Sequence, residues 1–471
     1  MLRFNPKSLA EDWRLKTIIL LLFIISYFLI LYRPEVFLYA ALLILPLIFI
    51  ALANTPPRIF LSFCFFISVI PLEQFRRKVY GIPIGINDYH VAAGLLICIL
   101  FAVIYTGIKF DNLKKKKIDI PLLQIFLTSV IAVYMTIGFL RGYEIVKILR
   151  GTLILLMYVI PFIFISIYEI KEREFYFFLL LATFFVSIEY FVMYRAALSV
   201  GVLTRVVTRM ATITIISFPA IIFNIADGYL SKKNRFLYYA IMFFCLSAAI
   251  LSLQRSLWVC ILFDLCVFVI YLFFISKKKL YFIFRLAIVI FIVLTLLVIA
   301  VQIFKAVFGE SIFNLLMYRF TQFSFSSFSS DRALSVRMED YAKIWQIFSE
   351  SNFIGVGLGA VYMQSDTGKT QEFVDNSYLV LLWKTGIFGF IAVLSMYLFT
   401  MIELVKIYVK EKNVKEFLIP GVILLNYLLN GAVDSNFVMY NQTIWIGMLM
   451  LMIHQKYRRV YFESGFDKHG A

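Results

Sequence analysis

Apolar runs of about 20 residues, separated by short charged connections, recur along nearly the whole chain. That is the length a helix needs to cross a hydrocarbon core about 30 Å thick. The runs and breaks predict spans near 17–32, 36–53, 58–72, 89–108, 119–139, 148–168, 174–194, 211–230, 236–253, 256–275, 280–304, 377–405, 417–433 and 437–455. The expected fold is an all-α polytopic membrane protein of about 14 transmembrane helices, or 13 if the short third run, which ends at Pro71, does not span. Residues 1–304 would carry helices 1–11 and residues 305–376 one large hydrophilic loop. Residues 377–455 would carry helices 12–14, and 456–471 a tail.

The loop is too long and too mixed in composition for a simple connection, so it should carry function. Its Ser/Phe-rich piece, Ser324 to Ser330, suits a flexible or interfacial segment, whereas Val336 to Phe348 spaces apolar residues as a surface amphipathic helix does. Gly355, Gly357 and Gly359 then break the pattern with a turn-rich stretch.

Composition agrees with this pattern. Of 471 residues, 62% are hydrophobic, and the mean hydropathy of +0.90 excludes a soluble core of this size. The first apolar run, Thr17 to Leu31, follows a basic start and lacks a small-residue cleavage site, so it is expected to stay as a helix. Cys64, Cys98, Cys245, Cys260 and Cys266 all fall in apolar segments, where a thiol acts as a small hydrophobe, which argues against disulfides and Cys-based metal sites. The net charge of +17 acquires meaning only when each charge is assigned to a side of the membrane, and does not here point to nucleic acid.

That assignment puts Lys114 to Lys117, Lys232, Lys233, Arg235, Lys277 to Lys279, Lys406, Lys410, Lys412 and Lys415 on one side, which the positive-inside rule makes cytosolic, with both termini. The large loop then lies outside. The cytosolic connections are rich in lysine, whereas the outer ones are rich in arginine. A planar guanidinium grips phosphate or carboxylate with two parallel bonds and stays charged when partly desolvated, so the outer arginines point to an anionic ligand there. For any one of them, snorkelling to lipid phosphate is the competing explanation.

Arg255, in Gln254-Arg255-Ser256, lies between two apolar runs with barely a loop to hold it, and an arginine at membrane depth is a functional candidate by default. Arg337 shares a helical face with Tyr341, while Glu339 and Asp340 beside it offer intraloop ion pairs as the plain alternative. Arg205 and Arg209 stand four apart and either face one anion together or solvate a helix surface. Arg150 and Arg141 flank the outer start of another span. In Asp375-Asn376-Ser377-Tyr378, before a long apolar helix containing Lys384, the polar side chains suit an N-cap; Asp375 also suits a carboxylate that orients or deprotonates a hydroxyl. The three histidines, His90, His454 and His469, all lie outside the large loop. There is no Walker loop, dinucleotide fingerprint, His/Cys metal cluster or convincing internal repeat.

In order, Gln254-Arg255-Ser256, Arg337 with Trp345, Phe348 and Asn352, Gly355-Val356-Gly357-Leu358-Gly359, Asp375-Asn376-Ser377-Tyr378-Leu379 and Gly386-Ile387-Phe388-Gly389 resemble the O-antigen polymerase and ligase superfamily of membrane glycosyltransferases. The resemblance implies a GT-C-like fold in the bacterial cytoplasmic membrane and a metal-independent, inverting transfer without cofactor on the outer face. The substrate it implies is an undecaprenyl-diphosphate-linked glycan, with a chain-length regulator and a flippase as possible partners. In that reading Arg255, Arg337 and Arg209 stabilise the leaving diphosphate, with Arg205 and Arg150 beside them. Asp375 orients or deprotonates the acceptor hydroxyl, and Asn376 and Tyr341 position loop or sugar. Ligases and related protein O-glycosyltransferases of the superfamily typically have His-Asn where this chain has Asp375-Asn376, which favours a Wzy-type repeat-unit polymerase over an O-antigen ligase or protein O-glycosyltransferase. A lipid-linked oligosaccharide flippase is the alternative of another class. It should carry charges deep in several spans, and Glu189 and Arg285 are the expected deep charges here, the rest gathering at the membrane faces.

Overall fold

The computed structural model describes residues 55–69, 88–108, 121–199, 213–226, 232–252, 254–275, 332–434 and 439–463, with isolated positions between 284 and 314. The expected spans at 17–32, 36–53 and 280–304, and the first part of the large loop, lie outside these residues or touch them only at isolated positions. The described elements are α1 Pro56–Val69, α2 Asp88–Ile108, α3 Leu122–Leu140, α4 Ile145–Ile165, α5 Glu172–Ser199, α6 Ile213–Ala226, α7 Lys232–Leu251, α8 Arg255–Ile275, α9 Arg332–Glu350, β1 Tyr362–Met363, β2 Thr370–Gln371, α10 Ser377–Glu411, α11 Val414–Gly431 and α12 Tyr440–Arg458. Among the described residues, five helices are long and apolar enough to cross a membrane, falling in α2, α3, α4, α8 and α10. The described residues are helical but for turns, loops and the β1–β2 hairpin, which the hydropathy pattern did not announce.

The core gathers round α12. Ile444, Trp445, Ile446, Met448, Leu449, Met450 and Leu451 are all buried, as expected of a helix apolar all round. It packs against α1, α4, α6 and α10. At one end of the bundle Arg459 pairs with Glu169, His454 with Glu403, and Lys456 with Glu411 and Glu416. The α3–α4 connection, the α7–α8 connection, the loop after α9 and the α11–α12 connection gather at the opposite end.

α8 and α11 run antiparallel and are bonded at two levels. Gln254 Nε2 donates to Asp434 Oδ2 (2.8 Å), and deeper in the bundle Asn426 Nδ2 donates to Asp264 Oδ1. Asp264 is fully buried in the middle of α8. This corrects the expectation that, Glu189 and Arg285 apart, the charges gather at the membrane faces, because Asp264 and Lys384 both lie inside apolar helices and are buried; Arg285 and the Glu189 side chain lie outside the described residues. A single carboxylate in an apolar run was the sequence signal for Asp264.

The run at 377–405 reads as one straight helix, but α10 breaks at Gly386 (φ 60°, ψ −170°). The break strips the carbonyls of Trp383 and Lys384 of their helical partners, and the glycine stretch supplies replacements. Val356 N–H donates to Trp383 O (2.8 Å) and Gly357 N–H to Lys384 O (2.9 Å), while Ile387 N–H donates to Phe353 O (3.2 Å). Leu358 N–H reaches Tyr134 O on α3 (3.1 Å), and the Tyr134 hydroxyl donates to Ile354 O. Irregular backbone among apolar helices survives only with its polar groups satisfied in this way. Gly355 and Gly357 have φ of +91° and +96°, and an added β-carbon would collide with the Gly386 and Gly138 backbones respectively. The turn-rich stretch expected here is a plug seated on α3, α4 and α10.

Candidate active site

The loop folds about two acidic residues. Asp340 on α9 is buried and accepts from Ser365 N–H (2.9 Å) and Ser365 Oγ (2.8 Å), fixing the β1–β2 hairpin. It is thereby turned away from the ion pair with Arg337 that their adjacency suggested. Arg337 instead directs Nε and Nη2 to Asp375 Oδ2, at 3.1 and 2.9 Å. Tyr341, one turn further along the same face, donates its hydroxyl to the Asp375 carbonyl (2.6 Å). Burial, opposed by Arg337 and reinforced by Asp375, Asp434 and Asp340, pushes the Tyr341 phenol up to about 12, so the group stays a donor at neutral pH.

Asp375 is followed by the cap of α10. Asn376 Oδ1 accepts from Leu379 N–H (3.0 Å) and its Nδ2 donates to Ala432 O (3.0 Å), so Asn376 is the capping residue and also ties α10 to the α11–α12 connection. Ser377 donates through N–H (3.1 Å) and Oγ (2.7 Å) to Asp434 O. Asp434 accepts from Gln254, whose neighbour Arg255 opens α8. Four segments distant in sequence, 254–255, 337–341, 375–377 and 432–434, thus converge at one end of the bundle. Asp434 carried no sequence signal of its own. It lies in an ordinary-looking helix connection, and its place becomes visible only when α8, α10 and α11 are brought together.

Arg150 is set in a neighbouring cluster on α4. Its Nη1 lies 2.5 Å from Glu372 Oε1, three residues before Asp375. Lys384 Nζ, buried and without a hydrogen bond, lies 4.4 Å from the Phe373 ring centroid and 5.3 Å from that of Trp383. Glu372, Arg150 and Lys147 are within its electrostatic reach. Arg205 and Arg209 lie outside the described residues, as does the side chain of His90. The structure brings Arg337, Tyr341, Asp375 and Asn376 into one network, links Arg255 to it through Gln254, and keeps Arg150 on a second pair.

Residues 240–394 match the family model described as O-Antigen ligase. The matched stretch contains Gln254-Arg255, α9, the glycine plug, Asp375-Asn376 and the break at Gly386. The match supports the O-antigen polymerase and ligase superfamily. Together with the apolar helices it defines the class, a multi-pass helical membrane protein carrying a domain of the O-antigen ligase type. A search of the curated proteins finds no match.

Proposed function

We propose that this protein polymerises lipid-linked oligosaccharide repeat units of an O-antigen, capsule or exopolysaccharide. The growing glycan leaves its undecaprenyl diphosphate carrier and joins a hydroxyl of the next repeat unit on the outer face of the bacterial cytoplasmic membrane. The observation that carries this reading is the Arg337–Asp375 pair (2.9 Å) at the mouth of α10, beside the Gln254–Asp434 link that seats Arg255. A guanidinium held in place by a carboxylate costs no reorganisation when charge develops on a leaving diphosphate. In the transfer the bond from the anomeric carbon to the diphosphate oxygen breaks, its electrons leaving with the diphosphate. The acceptor oxygen forms the glycosidic bond and loses its proton. Arg255 and Arg337, with Arg205 and Arg209 as further cations, stabilise the leaving diphosphate. Asp375 orients the acceptor hydroxyl and takes its proton, Asn376 and Tyr341 hold Asp375 in register, and Arg150 lies in the adjacent cluster.

A ligase of the same superfamily is the competing reading, and a carboxylate at position 375, where those enzymes typically have histidine, favours the polymerase. A flippase gains from the deep charges Asp264 and Lys384, yet Asp264 is bonded within the bundle to Asn426. The deciding experiment is reconstitution with purified lipid-linked repeat units. A ladder of polymer lengths with release of undecaprenyl diphosphate is expected. Repeat units that remain unextended beside a competent acceptor would refute polymerisation.

A further inference from the structure

α10 carries an exposed apolar stripe, Ile387, Ile391, Leu398, Ile402, Val405 and Val409, at helical spacing along its length. On a membrane-spanning helix such a stripe faces lipid. At its upper end the stripe does not stop. Ile387 N–H is bonded to Phe353 O, and Phe353 and Ile354 are 49% and 52% exposed, comparable with Ile387 at 45%. The apolar surface then passes onto α9 through a row of rings: Phe353 meets Phe348 edge-on at 5.2 Å, and Phe348 meets Trp345 at 5.7 Å. Phe348 is buried, whereas Trp345 is 51% exposed. Asn352 and Phe353 both hold positive φ, 53° and 63°, a conformation disfavoured for a bulky aromatic residue and maintained where surroundings impose it.

We infer that Trp345, Phe353 and Ile354 form a foot by which the loop inserts into the outer leaflet of the bilayer at the head of α10. Tryptophan suits the headgroup level, and phenylalanine and isoleucine suit the hydrocarbon beneath it. Continuity with the lipid-facing stripe of α10 makes lipid the occupant. The foot begins with Trp345 on the second half of α9, which bears Arg337, and ends directly before the glycine plug in the α10 break. Anchoring it sets the depth of the Arg337–Asp375 pair relative to the lipid headgroups, which is where a lipid-linked diphosphate presents its charge. This last consequence rests on the proposed polymerase activity, whereas the insertion itself does not.

The test uses the full chain in proteoliposomes, with Cys266, the exposed cysteine, replaced by alanine. An environment-sensitive fluorophore is attached at Trp345→Cys or Phe353→Cys, with Asp366→Cys at the exposed tip of the hairpin as the aqueous control. Shallow nitroxide-labelled phospholipid is expected to quench the labels at 345 and 353 several-fold more than the label at 366, and iodide to do the reverse. Iodide quenching at 353 equal to that at 366 would overturn the foot, and so would a label at 353 shielded from both quenchers, which would indicate a protein partner. Phe353→Asn with Ile354→Ser, chosen because asparagine tolerates positive φ, is expected to raise the KM for the lipid-linked donor several-fold with kcat within twofold. Lipid quenching without polymer formation by the unaltered protein would refute the polymerase and leave the foot standing.

Discussion

Both contacts from the Arg337 guanidinium, Nε at 3.1 Å and Nη2 at 2.9 Å, fall on one oxygen of Asp375, Oδ2. The pair is half-exposed, so its direct contribution to stability is small, and the other carboxylate oxygen, Oδ1, is not engaged by Arg337. On the proposed reading one residue therefore serves two tasks: it orients a cation through Oδ2 and offers Oδ1 to the acceptor hydroxyl.

Asp375→Asn separates these tasks. The amide keeps the shape but neither balances Arg337 nor accepts a proton. Turnover in the reconstituted assay is expected to fall by about 10²-fold or more while the KM for donor stays level or falls, the range typical of a general base. A donor KM that rises with kcat unchanged would restrict Asp375 to binding. Arg337→Lys is expected to lose turnover to a similar degree, because a lysine retains the charge without the fork; near-normal turnover would remove Arg337 from the diphosphate clamp.

Tyr341→Phe removes one hydrogen bond, from the phenol to the Asp375 carbonyl, worth about 1 kcal/mol. A several-fold loss of kcat is expected. Because burial raises the phenol to about 12, its protonated form is stabilised in the folded protein. That contribution is complete below the ordinary tyrosine value near 10 and is lost as pH rises through about 12. The pH–rate profiles of wild type and Tyr341→Phe should therefore run parallel between about pH 6 and 9. Profiles that diverge in this range would mean that Tyr341 titrates as part of the site.

The helices and the site were not equally legible in the sequence. Apolar periodicity located α2, α3, α4, α8, α10 and α12 to within a few residues, because a bilayer imposes length and composition on each span separately. The surface helix at 336–348 was legible for the same local reason. That Asp375 and Arg337 serve one site followed from the resemblance, but their direct pairing did not, and neither did Asp434, since its role depends on three helix ends meeting. Glycines 355, 357 and 359 announced unusual backbone, but that the amides of Val356 and Gly357 would fill a break at Gly386 is a long-range pairing that no local pattern encodes. Asp264 was written plainly in α8 and needed only to be weighed as a charge inside a span.

Gly386→Ala tests the plug. At φ 60°, ψ −170° a side chain is strained by about 1–3 kcal/mol, and an added β-carbon would also meet Ile354 O. Thermal unfolding in detergent should show a loss of several °C, and protease cleavage within 351–361 should accelerate. Gly368→Ala is the control for positive φ without collision (φ 62°, nothing near the added carbon), and should cost less and leave cleavage at 351–361 unchanged. Equal effects of the two would show that the plug is not seated in the break.

The buried Asp264–Asn426 bond sets the register of α8 against α11, and its worth is measurable as a coupling. Asp264→Leu strands the Asn426 amide, and Asn426→Leu strands the Asp264 carboxyl. Each should cost about 1–3 kcal/mol, the penalty of a buried polar group left unpaired. The double variant leaves neither group stranded, so it should be less destabilised than the sum, with a coupling on the order of 1 kcal/mol as for polar pairs between membrane helices. Asp264→Asn retains an acceptor for Asn426 and is expected to unfold close to wild type with turnover preserved. Preserved stability with lost turnover would instead place the carboxyl charge of Asp264 in the function of the protein, and would revive the transport reading that deep charges favour.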